Sequence, residues 1–296
     1  MATVLNLSGL TEYVENRKDE LFVKAAVGAK TLDYIELMLN VKHKDALNYL
    51  DSEVEFQIAD CGWDPKGSDT FGQRYIEVVP VEIEKEWCYL DFKNYFMNYQ
   101  LRFAAGRETL PFEEKIVESN LAAIKMGLED LIWNGSSGLG LDGLIKQVED
   151  EGTKVTVGSG ATATEAIDAA VAALTAQMLN KGVDIFVSPT LFRNYVMESN
   201  GTCCAGRPVI DAASESITYV GDSRIRIIPV TGLENSGAIV AASRGNLVYA
   251  TDIEDSEAIY DLFFDKKAQT FNFRVLFNAG TALKFPDEAI VVEAGE

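Results

Sequence analysis

The sequence holds one histidine, His43, in 296 residues. It sits in "VKHKDA" among lysines and an aspartate, with no serine–aspartate constellation around it. A nucleophilic triad built on it has no support, and it reads as a solvated surface residue. Cysteine is nearly as scarce. Cys61, Cys88, Cys203 and Cys204 show no C-x-x-C spacing, and with a single histidine even the adjacent Cys203–Cys204 pair lacks the ligands for zinc. They are expected to be free buried thiols, and no metal or other cofactor is expected. Basic charge is short too: 26 Lys and Arg face 46 Asp and Glu, a net charge of -20. Such a chain gains little from counterion release, which excludes a sequence-specific grip on DNA but not containment of it. No run approaches the ~18 apolar residues of a membrane helix. The start, "MATVLNLSGLTEYVENRKDELF", lacks a basic segment followed by an apolar core, so no secretory signal is expected and the protein is read as cytoplasmic. Repeats, low-complexity linkers and catalytic signatures are missing as well.

What is present is globular, at 47% hydrophobic and 24% charged residues. Residues 1–50 read as a partly helical arm, through "TEYVENRKDELFVKAAV" and "KTLDYIELMLNVKH". From Glu53 the pattern switches to a period of two. Val54, Phe56 and Ile58 alternate with polar residues, and Val79, Val81 and Ile83 do so again in "YIEVVPVEIEKEW". The spacing predicts two strands joined by a long loop, "CGWDPKGSDTFG", with Trp63 and Phe71 at its tip and too little chain nearby to bury them.

The next segment, 111–133, opens with Pro111 and an acidic first turn, and places apolar residues at 117, 121, 124, 128 and 131. It predicts a helix of about 34 Å, longer than the usual three or four turns. Asn134-Gly135 ends it.

Two glycine clusters fit dinucleotide fingerprints. In "NGSSGLGLDG", Gly138, Gly140 and Gly143 match G-x-G-x-x-G, but a helix leads in and a strand-like "LIKQVED" leaves. A dinucleotide turn needs the reverse order, so the segment reads as a flexible corner. In "TKVTVGSGATATEAI" a strand does precede Gly158 and Gly160, and Thr162 with Glu165 forms a capping box at the start of a helix. The acid expected at the end of the next strand is absent there; Asp184 opens "VDIFVSP" instead. A capped helix after a tight turn is the preferred reading. The rest comprises the buried strand "VDIFVS", a helix opened by Ser188-Pro189, and a loop with short strands. A long ribbon over 257–285 turning at Asp265-Lys266-Lys267 and the last strand "EAIVVE" complete the chain.

That order of elements, with "IWNG" ending the long helix, "GLDGLI" after it and "RVLFNAG" on the late ribbon, resembles the major capsid protein of tailed bacteriophages. Herpesvirus shells and encapsulin nanocompartments share the fold. The resemblance implies an α+β fold with four regions. These are an N-terminal arm (1–52), an extended loop lying across a neighbouring subunit (53–80), a peripheral domain (81–135 and 251–286, spine helix 111–133) and an axial domain (136–250 and 287–296). It also implies a non-enzymatic subunit that assembles into hexamers and pentamers of an icosahedral head, located in the virion and built in the host cytoplasm around double-stranded DNA.

Its expected partners are other copies of itself, a portal and a separate scaffolding protein, since the short arm leaves no room for a cleavable scaffold segment. Trp63, Lys66 and Phe71 are the expected assembly contacts. Some relatives join a loop lysine to an asparagine of the next subunit. Lys66 with Asn272 or Asn278 is the corresponding set here, although a solvated lysine explains Lys66 equally. Two other readings stay open: an encapsulin-like compartment, and a nucleotide-binding enzyme using the Gly158–Gly160 turn.

Overall fold

Period-two and period-3.6 segments alternate along the chain, and the longest of them find the layer their pattern requires. The structure, a computed structural model, describes residues 14, 17–59, 61–62, 65–104, 112–201, 209–211, 216–252 and 259–294. The N-terminal part runs through Lys18–Ala26 (α1), a 3-10 turn at Lys30–Asp33, Glu36–Leu39 (β1), Lys44–Glu53 (β2), Ser68–Glu77 (β3) and Val79–Cys88 (β4). Two helices follow, Tyr89–Ala104 (α2) and Phe112–Asn134 (α3), then the two-residue strands Gly135–Ser136 (β5) and Leu141–Asp142 (β6) and the helix Leu144–Glu151 (α4). The middle third holds Thr153–Val157 (β7), Ala163–Ala172 (α5), Ala176–Lys181 (α6), Val183–Val187 (β8) and Pro189–Gly201 (α7). Short strands come next: Val209–Asp211 (β9), Ser216–Thr218 (β10), Ile225–Pro229 (β11), Ile239–Ser243 (β12) and Leu247–Asp252 (β13). Ile259–Asp265 (β14), the long Thr270–Leu283 (β15) and Ala289–Ala294 (β16) complete the order.

The 23-residue α3 is the helix expected from the spacing. Val117, Leu121, Ile124 and Leu128 are buried along one face, and its last turn buries Ile132 and Trp133. Trp133 packs on Phe186 of β8 with ring centroids 4.9 Å apart. Its Nε1 donates to the Thr31 hydroxyl at 2.9 Å. Thr31 in turn donates its N–H and hydroxyl to the buried Glu129 carboxylate at 2.7 and 2.5 Å. The Trp133 indole N–H, the Thr31 N–H and hydroxyl and the Glu129 carboxylate thus satisfy one another inside the core.

The seven-stranded sheet runs β7-β16-β12-β8-β11-β10-β9. Its strands alternate between two cores. Val183, Ile185 and Val187 face α5, α6 and α7 with Ile239, Ala241, Ile290 and Val292. Phe186, Val240, Ala242 and Val291 face the main core with α3 and α4. Burial on both faces is why "AIVV" reads as an unbroken apolar run and "VDIFV" as one broken only by Asp184.

The second sheet is built on β15, which pairs with β4 over 270–279, with β14 on its other edge, and with β13 over 278–283. β1 adds to β13 in parallel.

Several expectations are corrected. The segment "KTLDYIELMLNVKH" is a 3-10 turn and a strand, because pairing with β13 outweighs a weak helix propensity. Of "VEFQIAD", residues 54–59 belong to no strand. The ribbon is instead β2 with β3, in register from Lys44↔Glu77 to Glu53↔Ser68. The strand expected through "YIEVVPVEIEKEW" is interrupted at Val78, whose N–H bonds the His43 carbonyl at 2.9 Å. His43 itself is exposed. Residues 89–104, to which the sequence pattern assigns no element, form α2. "LIKQVED" is the helix α4, because Leu144, Ile145 and Val148 share its buried face. β13 pairs into the β15 sheet, so the seven-stranded sheet takes nothing from the chain between Ser243 and Ala289. Cys61 and Cys88 are exposed, not buried. Cys203 and Cys204 lie outside the described residues.

The corner glycines serve packing. Gly135 takes φ +68°, and a Cβ at Gly143 would lie 2.3 Å from the Trp133 carbonyl oxygen. The backbone of α3 fills the space that a phosphate would need.

Candidate assembly surfaces

The β2–β3 register gives the ribbon two faces of different character. On one, Leu47 and Ile76 are buried with Val41, Val78, Val248 and Ala282. Tyr49 lies over its cross-strand partner Gly72, where a Cβ would come within 2.1 Å of the ring, and meets Phe285 edge-on at 5.5 Å. Arg74 pairs with Glu151 at the end of α4. This face holds the inner half of the ribbon against the body.

The other face points away from it. Phe71 stands opposite Leu50 and is 80% exposed, and Tyr75, opposite Ala46, is also exposed, with Lys44 4.6 Å above its ring. Past Glu53 the chain leaves the ladder, and the alternating residues Phe56 and Ile58 stand 96% and 94% exposed. Lys66 is exposed on the return. The expected contact Phe71 is therefore on the ribbon's outer face rather than at its tip, and Trp63 lies outside the described residues. Phe56 and Ile58 are exposed apolar residues that sequence reasoning passed over as candidate contacts; their alternation was visible but was assigned to a paired strand. Asn272 and Asn278 lie on β15 opposite Glu86 and Pro80 of β4, within the sheet.

A second surface lies where β4 ends. A cleft of about 490 Å³ opens between α2, β4 and α3. Trp87, Tyr95 and Ile116 supply its apolar lining, and Asp91, Lys115 and the exposed Cys88 its polar part. Trp87 is braced by Phe273 at 6.1 Å, and Lys85 donates to the buried Asn120 of α3 at 3.1 Å. On its outer side α2 carries Leu90, Met97 and Leu101 exposed along one stripe.

The Gly158–Gly160 turn borders a third cavity of about 300 Å³. The expected capping box is present, with Thr162 Oγ1 accepting from Glu165 N and the Glu165 carboxylate accepting from Thr162 N. The remaining donors at the start of α5 are already taken. Glu198 of α7 accepts from Ala163 N at 3.3 Å, Thr164 N at 2.9 Å and the Thr164 hydroxyl at 2.7 Å. Partial burial works to raise the Glu198 pKa, but these donors hold it below the ordinary carboxylate range. The chain's own carboxylate thus sits where a phosphate would. Asp184 is committed as well, bidentate to Arg226 at 2.7 and 2.6 Å.

Two expected results follow from this corner. Gly160 takes φ +88°, so Gly160→Ala should cost about 1 kcal/mol through backbone strain. A thermal-shift panel should show no nucleotide-dependent stabilisation in either protein; a saturable shift that the substitution abolishes would restore the enzyme reading. Glu198→Ala should destabilise the subunit at neutral pH. A carboxylate with a depressed folded pKa contributes its stability above its unfolded value, about 4.3, and loses it as pH falls through the folded value. The gap in Tm between wild type and variant should therefore close below about pH 4. A gap independent of pH would show that the charge is not what matters.

Among the described residues no group of three His, Cys, Asp or Glu could hold a metal, and no helix is long and apolar enough to cross a membrane.

No family model matches the sequence. No curated protein matches it either. Solved structures do. A chain of the satellite phage P4 procapsid including the size determination protein is 12% identical, over 97% of this chain and 92% of that one, with a TM-score of 0.61. A chain from Microbacterium phage Oxtober96 is 10% identical, over 90% and 91%, at 0.59. A virus-like particle from Pyrococcus furiosus is 11% identical, over 95% and 100%, at 0.54. The chain has the fold of tailed-phage major capsid proteins.

Proposed function

We propose that this chain is a major capsid protein, a non-enzymatic shell subunit whose copies form the hexamers and pentamers of an icosahedral head around double-stranded DNA. The observation that carries this reading is the ribbon. In a fold otherwise seen in shells, an arm of the chain projects Phe56, Ile58, Leu50 and Phe71 into solvent, apolar surface that a lone soluble subunit has no reason to maintain. In this reading β2–β3 is the extended loop, the β15 sheet with α3 the peripheral domain, and the seven-stranded sheet the axial domain. A scaffolding protein and a portal would be its further partners, and the assembly would take place in the host cytoplasm. The net charge of -20 suits a wall that lets DNA move against it.

A second reading, a compartment that encloses protein cargo, is favoured by the near-complete match in both directions with the Pyrococcus particle. Negative-stain microscopy and light scattering of the purified protein test the common part. Rings, sheets or shells are expected. A monodisperse monomer at all salt concentrations, even with a scaffold partner present, would overturn it. The nucleic-acid absorbance of particles purified from the natural source separates DNA head from cargo compartment.

A further inference from the structure

We propose that Glu149 of α4 and Glu293 of β16 form a proton-operated clasp that ties α4 to the seven-stranded sheet, closed in mildly acidic surroundings and open at neutral pH. The proposal is independent of the shell reading. Local geometry brings the two carboxyls together. α4 buries Leu144, Ile145 and Val148 and closes at Gly152, whose N–H bonds the Val148 carbonyl at 2.8 Å. A Cβ at Gly152 would lie 2.8 Å from that carbonyl oxygen and from the Ala289 carbonyl oxygen, so glycine is what lets the chain turn this tightly into β7. β7 then runs parallel to β16, with Lys154 opposite Val291 and Glu293 opposite Thr156. Lys154 Nζ reaches the Glu293 carboxylate at 2.7 Å. Glu149, next to the buried Val148, is half-buried and in hydrogen-bond contact with the same carboxylate.

Two carboxyls in contact resist double ionisation, and the charges around them decide which one takes the proton. Glu293 is held below the ordinary carboxylate range, first by its hydrogen bond from Lys154. Glu149 is pushed up, first by burial and then by the Glu293 carboxylate and Asp150, with Lys154 pulling the other way. On acidification Glu149 therefore gains the proton and donates it to Glu293; at neutral pH the two repel. The other charges around α4 are engaged elsewhere: Lys146 with Asp142, Glu151 with Arg74, Glu129 of α3 with Thr31, and Glu288, just before β16, with Lys181. Gln147 of the same helix donates to the Thr281 carbonyl of β15 at 3.0 Å. The clasp thus bears on the place where α4 touches both sheets.

Glu149→Gln provides the test, because its amide supplies the donor at every pH. A carboxyl whose folded pKa is raised contributes stability below its unfolded value, about 4.3, and loses it as pH rises through the folded value. Glu149→Gln should therefore melt above wild type at neutral pH, and the gap should narrow toward zero as the pH falls to about 4.3. In a Lys154→Met background the same gap should begin to narrow at higher pH, because no ammonium is left to stabilise the two charges. At neutral pH the amides of α4 should exchange with deuterium more slowly in Glu149→Gln than in wild type. A gap of constant size would make Glu149 a packing residue, and no gap at any pH would leave the pair without effect. Either result overturns the proposal, as would a pH profile that Lys154→Met does not move or α4 exchange that Glu149→Gln does not slow.

Discussion

A subunit in which residues 54–67 are replaced by Asn-Gly folds and does not assemble: that is the expected result with the sharpest division between two readouts. Glu53 and Ser68 are the last paired residues of the ribbon. A two-residue Asn-Gly loop closes such a pair in a type I′ turn that matches the strand twist. The inner ribbon keeps Leu47, Ile76, Tyr49 and the Arg74–Glu151 pair, so its attachment to the body is unchanged. Tm should move by no more than a degree or two, because surface changes away from packed features are worth about 0.5 kcal/mol or less. Assembly should fail outright, since Phe56 and Ile58 are gone. Phe56→Ser alone should weaken it by about 2 kcal/mol per contact if the ring anchors the interface. A shortened protein that unfolds would place the tip in the subunit's own core. One that still forms particles would make it dispensable.

The second large effect is on the subunit itself. Trp133→Ala should cost about 3–5 kcal/mol, the usual loss for deleting a fully buried indole. The ring does three things at once. It ends the buried face of α3, packs on Phe186 of the seven-stranded sheet, and hydrogen-bonds Thr31, which holds Glu129. Its loss leaves a cavity where helix, sheet and N-terminal segment meet, and removes a partner from a buried hydroxyl. Against a total stability of about 5–15 kcal/mol this is a large share. Urea unfolding followed by circular dichroism measures it, and a loss under about 1 kcal/mol would show that the three elements do not depend on this side chain.

How much of this was legible depended on whether a segment's partners lay in its own pattern. The steps of three and four along α3 specified that helix, because each residue's exposure is set by one long face. Thr162 and Glu165 specified the start of α5, because a capping box is local. "VDIFV" and the β14–β15 ribbon were readable for similar reasons. The failures were segments whose state is decided by something distant. "ELML" became a strand only because β13 lies beside it. α2 is rich in Tyr and Phe with apolar residues on several sides, so no single stripe declared a helix. The short α4 carried its i, i+1, i+4 spacing in plain view, yet so short a segment also fits a strand. The assembly surface shows the same limit. The period of two in Val54, Phe56 and Ile58 reports an extended backbone with one apolar side, and holds no information on which chain that side will face.

The pairing of β4 with β15 bears on how the chain is made. Residues 79–88 find their partners only in 270–279, and β1 waits for residues 248–251. During synthesis β1 and β4 therefore have no partner strand until almost all of the chain has left the ribosome, while the β2–β3 ribbon can form early. Contacts of such long sequence separation close slowly, and the apolar strands stay open to wrong partners meanwhile. That interval is when aggregation competes with folding. Yield in a heterologous host should accordingly rise with slower synthesis at lower temperature and with added chaperone, more than with any change to the finished subunit's stability.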